Sequence, residues 1–123
     1  MNRSRTQQLV ERLRALQESA PEIQGVAIVS ADGLSIASAL VPPIDEDRVA
    51  AMSAAMLSLG ERIAEELGRG KLEQVYIKGS AGYAILTSVG PNAVVSIVAR
   101  SEARLGLLLL ELRKVVTDLQ TLL

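Results

Sequence analysis

Neither cysteine nor histidine occurs in the 123 residues, tryptophan and phenylalanine are also missing, and the only rings are those of Tyr76 and Tyr83. The first two absences remove most side-chain chemistry. A thiolate nucleophile, a Ser-His-Asp or Cys-His pair, the common zinc sites and a histidine general base are all excluded. Lack of cysteine agrees with a reducing cytosol, the expected location. Two rings are too few for a platform on which bases stack. A dominant charge is lacking too: 13 basic and 14 acidic residues leave a formal net charge of -1, so no broad field exists to hold nucleic acid or an anionic membrane. The basic start in Arg3, Arg5, Arg12 and Arg14 against Glu11 reads as a solvated helix face.

Apolar runs long enough to cross a bilayer are scarce. The longest uncharged run, Gly79 to Ala99, is cut by Gly82, Gly90, Pro91 and Asn92 into two pieces of strand length, which predicts a hairpin and no membrane insertion. Charges at Arg3, Arg5, Glu11, Arg12 and Arg14 likewise interrupt any stretch that could act as a signal peptide. The length suits one domain, residues 1–123, able to bury a core without disulfides or metal.

What is present is a regular order of elements. Leu9, Leu13, Leu16 and Ala20 form one stripe of an amphipathic helix over about Ser4 to Ser19, stopped near Pro21. Gln24 to Ser30 is a strand with both faces buried, and Asp32-Gly33 fits a type I′ turn into a second strand over Leu34 to Ala39. After Pro42-Pro43, Asp45 is the expected N-cap of a second helix, with Glu46 and Asp47 favoured by the helix dipole and Ile44 and Val49 spaced as a staple. That helix ends near Leu67, where Gly68 takes the left-handed position. Strands over Leu72 to Lys78, Tyr83 to Val89 and Ala93 to Ala99 follow, then a helix capped by Ser101. Its stripe runs through Leu105, Leu108, Leu109, Leu112, Val115, Val116, Leu119 and Leu122, widened by Leu107 and Leu110. The fold class is therefore α/β (α+β) in the order α-β-β-α-β-β-β-α. Its five-stranded, mainly antiparallel sheet carries helices on both faces, the terminal pair together on one.

The second helix is the unusual element. Val49, Met52, Met56, Leu59, Ile63 and Leu67 recur at steps of three and four and predict a face over the core. The opposite side carries Ala50, Ala51, Ala54, Ala55 and Ser58 where a solvated helix normally carries charge, so a second molecule is expected to cover it.

No motif for catalysis survives inspection. Gly68-Arg-Gly-Lys71 is followed by Leu72 rather than Ser or Thr, and Gly79-Ser-Ala-Gly82 does not open a helix, so neither is a nucleotide loop. The acidic triplet Asp45 to Asp47 is explained as a cap rather than a magnesium site. Glu61, Glu65 and Glu66 lie with Arg62 and Arg69 on the exposed arc, and Ser80 and Tyr83 have no base beside them. Arg48 and Arg62 have the chemistry of arginine fingers, but solvated helix arginines account for them more simply. An enzyme is not expected, and no cofactor or metal is implied.

The stretch Gly25-Val-Ala-Ile-Val-Ser-Ala-Asp-Gly-Leu-Ser-Ile-Ala37, the helix DEDRVAAMSAAMLSLGERIAEELGRG, the hairpin LEQVYIKGSAGYAILTSVG and the segment RLGLLLLELRK resemble, in order, the Roadblock family of dynein light chains and their bacterial relatives. The resemblance implies the profilin-like Roadblock fold and a non-catalytic dimer. In it, one strand of each protomer, here around Glu73 to Lys78, pairs across a two-fold axis while the second helices pack side by side. It also implies a Ras-like small GTPase as partner. The residues it assigns to the dimer or partner surface are Arg48, Ala51, Met52, Ala55, Leu59 and Arg62 on the helix and Val75, Tyr76 and Ile77 on the strand. A purely structural dimerisation unit, or a small-molecule sensor of profilin-like or PAS-like architecture with an interior pocket, remain the alternatives.

Overall fold

The structure, a computed structural model, describes residues 4–123; Arg3 lies outside the described residues. Helix α1 spans Arg5–Ser19. Ser4 caps it reciprocally, its Oγ accepting the Gln7 N–H at 3.1 Å while the Gln7 Oε1 accepts the Ser4 N–H at 3.1 Å. Strands β1 (Ile23–Ser30) and β2 (Ser35–Leu40) follow, then α2 (Glu46–Glu66), β3 (Gln74–Gly79), β4 (Gly82–Gly90), β5 (Ala93–Arg100) and α3 (Leu105–Gln120). The strands form one antiparallel sheet in the order β2-β1-β5-β4-β3. Strands β2 and β3 are therefore its two edges.

Each face of the sheet has its own core. On one, α1 and α3 pack Leu9, Leu13, Leu16, Leu108, Leu112 and Leu119 against Val26, Ile28, Ile85 and Ile97. Full burial of such side chains stabilises by about 1.5–3 kcal/mol each, so this layer dominates the fold. Arg12 of α1 and Asp118 of α3 tie the two helices at the surface, and that hydrogen bond together with the Asp118 charge raises the Arg12 pKa further. On the other face a smaller cluster joins Ala27, Val29, Leu86 and Val94 to Ala50 of α2.

Here the structure turns α2 by about one residue from the phase expected from periodicity: Ala50 and Ala54 face the sheet, while Ala51, Ala55 and Ser58 are exposed on the side expected to lie away from the core. The residues of α2 that are buried are Ala50 and Ser53, with Ala54, Leu57, Gly60 and Ala64 half-buried beside them. Met52, Leu59, Ile63 and Leu67, expected over the core, are exposed, while Val49 and Met56 sit at its margin. Close approach is the physical reason. A Cβ on Gly60 would stand 2.9 Å from Val75 Cγ2 and 3.0 Å from Leu72 Cδ2, and the Ala54 Cβ is 3.4 Å from where Gly33 would carry one. A single helix lying this near a sheet of Val and Leu needs small side chains beneath it. The large ones are displaced to its flank.

Turn chemistry differs from expectation at two places. Among described residues only glycines have positive φ, so Asp32-Gly33 is not a type I′ turn. A longer loop connects the strands instead. The Gly33 N–H donates to Ser30 O at 3.0 Å and Ser30 Oγ accepts the Leu34 N–H at 3.2 Å, with Gly33 alone at φ +88°. Ser101 does not cap α3, whose N-cap is Arg104 with no side-chain hydrogen bond. An extra turn that buries Ala103, closed from its N–H to Arg100 O at 3.1 Å, intervenes. Strand β3 begins at Gln74 rather than Leu72, and Leu107 and Leu110 face solvent instead of widening the α3 stripe. By contrast, Asp45 caps α2 as expected, and Gly68 ends it with two bonds, from its own N–H to Glu65 O at 3.1 Å and from Arg69 N–H to Ala64 O at 2.7 Å.

Two pairs of substitutions test this arrangement by urea unfolding. Gly82→Ala, whose Cβ would meet Ala99 O at 2.1 Å with φ +152°, should cost about 3 kcal/mol or more, whereas Gly106→Ala, in open helix, should gain roughly 0.5 kcal/mol. Ala50→Glu forces a carboxylate beneath α2 and should lose about 3 kcal/mol or more, while its neighbour Ala51→Glu, on the exposed side, should leave protomer stability within about 0.5 kcal/mol. Little loss for either would restore the phase expected from periodicity, in which both lie away from the sheet.

Candidate functional site

With Ala50, Ser53 and Gly60 turned towards the sheet, α2 presents an uncovered apolar arc. Met52 is 59% exposed, Leu59 60% and Ile63 49%, with half-buried Met56 between them and Leu67 beyond the helix end. Helical spacing places all four helix residues on one side, since 52, 56, 59 and 63 are steps of four, three and four. From Glu61 to Leu67 every residue but Ala64 is exposed, so the last turns of α2 receive little cover from the sheet. Apolar surface of this kind makes the arc the candidate interaction site.

The strand nearest the end of α2 is the open edge β3. Val75 turns under the helix and is half-buried there, while Tyr76 and Ile77 are about half exposed at 46% and 49%. Pairing register places Ile77 opposite Ala84, Ala84 opposite Val98 and Val98 opposite Gly25. This row lies on the α2 side of the sheet, two residues along from Val75 and Leu86, with Ala84 and Val98 half-buried and Ile77 open. The arc and the row thus extend one apolar surface from helix to sheet edge.

Charge frames the arc without entering it. Arg62 Nε donates to Glu66 Oε1 at 3.1 Å, and with Arg48 these residues occupy the outward ridge of α2 beside Ala51 and Ala55, all exposed. Of the nine residues singled out from sequence, Arg48, Ala51, Met52, Ala55, Leu59 and Arg62 share the solvent side of α2, and Tyr76 and Ile77 lie on opposite faces of the exposed edge strand. Val75 alone belongs to the protomer's own core margin. Ile63, Leu67, Ala84 and Val98 were missed. The signal for the first two was present in the sequence, because Ala50, Ser53, Ala54, Leu57 and Gly60 also recur at steps of three and four and describe a face made for close packing.

Residues weighed for chemistry are dispersed. Asp45 is occupied as a cap and Glu46 accepts from the Ser38 hydroxyl. Ser80 is exposed in the β3–β4 turn, and the Tyr83 ring lies 5.9 Å from the Lys78 ammonium. Among the described residues no group of three or more acidic side chains could hold a metal ion, and no helix is long and apolar enough to cross a membrane. The surface carries open grooves; one of about 640 Å3 at the end of the sheet is walled by Glu61, Lys71, Ser88 and Asn92 as well as Leu57 and Leu72. A sensor would need an apolar enclosure, and this groove is open and walled in part by charged and polar side chains.

Comparison with known proteins gives this chain a family. The model of the Roadblock/LC7 domain matches residues 9–99. An uncharacterised protein of Methanocaldococcus jannaschii is 35% identical over 92 residues, which cover 75% of this chain and 80% of that protein. Among solved structures, MglB of Myxococcus xanthus superposes with a TM-score of 0.88 at 21% identity, covering 98% of this chain and 91% of its own. A Roadblock/LC7 domain from Streptomyces avermitilis gives 0.73 at 26% identity, covering 90% and 97%. Profilin IA of Acanthamoeba castellanii shares the fold at 0.65 and 13% identity, over 96% and 98%. By the extent of the family match and the identity to its archaeal relative, the chain belongs to the Roadblock/LC7 domain family.

Proposed function

We propose that two copies of this chain pair across a two-fold axis, and that the pair is a non-catalytic module which binds and regulates or scaffolds a Ras-like small GTPase. The observation that carries the pairing is the apolar arc of Met52, Met56, Leu59 and Ile63 beside the open edge of β3. Antiparallel pairing of β3 with its symmetry mate would join two sheets into one and remove an exposed edge. The axis then runs perpendicular to the sheet, so both α2 helices lie on the same face, antiparallel, each with its exposed last turns directed towards the other protomer. Such an isologous contact buries on each side the surface the other lacks. A structure described as MglB with tetrameric arrangement, which has this fold, supports self-association as a property of the architecture.

Family membership points to the partner. Bacterial Roadblock proteins commonly work beside Ras-like GTPases, and MglB is a structural neighbour of this chain. Action through shape alone is consistent with a surface whose charged groups, Arg48 and the Arg62–Glu66 pair, are all solvent-exposed. Tighter binding of one nucleotide state shifts the GTPase towards that state by the same free energy, tenfold for about 1.4 kcal/mol. No residue need enter the nucleotide site.

Sedimentation and titration test the two halves of this reading separately. Wild-type chain should sediment at twice the protomer mass, and Leu59→Glu should weaken pairing at least about a hundredfold while leaving a folded monomer by circular dichroism. A wild-type monomer at high concentration would end the pairing model. For the partner, Ras-like GTPases from the source cell, loaded with GDP or a non-hydrolysable GTP analogue, should bind the wild-type pair and not the Leu59→Glu monomer. Absence of binding in both nucleotide states would leave a structural dimerisation unit.

A further inference from the structure

The hydrogen bonding of β3 fixes which of its backbone groups are free to meet another chain. Glu73, just before the strand, turns its carbonyl towards β4 and accepts the Thr87 hydroxyl there at 3.3 Å. Bonding direction alternates from residue to residue, and Gly79, which faces Gly82 across the two-residue turn Ser80-Ala81, has the same parity as Glu73. Val75, Ile77 and Gly79 therefore bond inwards to β4. Gln74, Tyr76 and Lys78 direct their N–H and C=O groups out of the sheet edge. Alternation also sends the side chains of these three to the face away from α2, where they are exposed and the Tyr76 hydroxyl donates to Gln74. Val75 and Ile77 stand on the α2 side.

We infer that β3 is complementary to itself in one register, centred on Tyr76, and that the partner this edge fits is an identical copy of the chain. The inference rests on the pairing proposed above and deepens it. A two-fold axis perpendicular to the sheet must pass through a residue, because opposed residues share both bonding direction and side-chain face. With the axis at Tyr76, that residue exchanges both bonds with its own mate and Gln74 pairs with the partner's Lys78. All the outward N–H and C=O groups of the three residues are then satisfied. An axis at Val75 would set Lys78 opposite the partner's Leu72, and an axis at Ile77 would set Gln74 opposite the partner's Ser80, both outside the strand Gln74–Gly79, so each register forfeits a third of the bonds. Centres nearer either end forfeit more. Side chains agree with the backbone. On the α2 face the Tyr76 centre puts Val75 against the partner's Ile77, which carries the apolar row of Ile77, Ala84 and Val98 across the axis. On the other face the two Tyr76 rings meet, and each Lys78 stands opposite a neutral amide rather than a second cation. An identical copy supplies this match by symmetry.

The chain has no cysteine, so single-cysteine variants report the register without background. Residues opposed at a hydrogen-bonded pair stand about 5.5 Å apart at Cα, within reach of a disulfide. Full-length Gln74→Cys and Lys78→Cys chains, co-expressed with tags of different size and mildly oxidised, should give a covalent dimer of unlike chains. Either variant alone should give at least about tenfold less, since its two cysteines would lie more than about 13 Å apart along the strands. Both variants keep Tyr76. Adding Leu59→Glu to the two chains should abolish the cross-link. Preferential cross-linking of Tyr76→Cys with Lys78→Cys would move the axis to Ile77, and with Gln74→Cys to Val75; either result overturns the register. A wild-type dimer in which none of these combinations cross-links overturns it as well. Sedimentation of the wild-type chain keeps the two readings apart: a monomer removes the pairing and the register together, whereas a dimer with a displaced cross-link removes the register alone.

Discussion

The seating of α2 on the sheet is the constraint from which the rest follows. One helix has to cover a face floored by Ala27, Val29, Leu86 and Val94, and it does so at a distance set by Ala50, Ser53 and Gly60. Small inward residues bring the backbone close and leave no room beneath for Met52, Leu59 or Ile63. Those side chains turn to the flank, where water is a poor neighbour for them. The exposed apolar arc is thus a consequence of packing inside the protomer.

The two faces of the sheet divide the work. Helices α1 and α3 together bury a large aliphatic core and complete their side of the central strands, while α2 alone leaves the row Ile77, Ala84 and Val98 partly open. Stability resides mainly on the first face and unsatisfied apolar surface on the second. Edge position adds to this asymmetry. Strand β2 has α1 packed over it and buried Ala37 and Ala39, whereas β3 is exposed along nearly its whole length. The open edge next to the open apolar arc is the combination on which the proposed pairing rests.

Local details show how far short-range chemistry reaches. Caps written in side chains, Ser4 with Gln7 and Asp45 at α2, form where the sequence places them, because each is closed by atoms within a few residues. Gly68 ends α2 for the same reason. The loop at Asp32-Gly33 and the start of α3 depart from such rules because longer-range packing intervenes. Gly33 lies against Ala50, Ala51 and Ala54 of α2, and Ala103 is buried before the chain can turn into its last helix. In both places the turn accommodates an element far away in sequence.

The order of elements, the antiparallel hairpins, the α1 and α3 stripes and membership of the Roadblock family were all legible in the residues, since periodicity, glycine and proline positions and caps are local and repetitive. The exclusion of thiol and imidazole chemistry was legible too, from composition alone. The phase of α2 was not. Two faces of that helix both carry uncharged residues at helical spacing, one large and one small, and periodicity cannot say which of them meets the sheet. That choice depends on the distance between helix and strands, fixed only when Val75 and Leu72 close on Gly60 and Gly33 closes on Ala54. Tertiary packing thereby decided which apolar residues became core and which became surface.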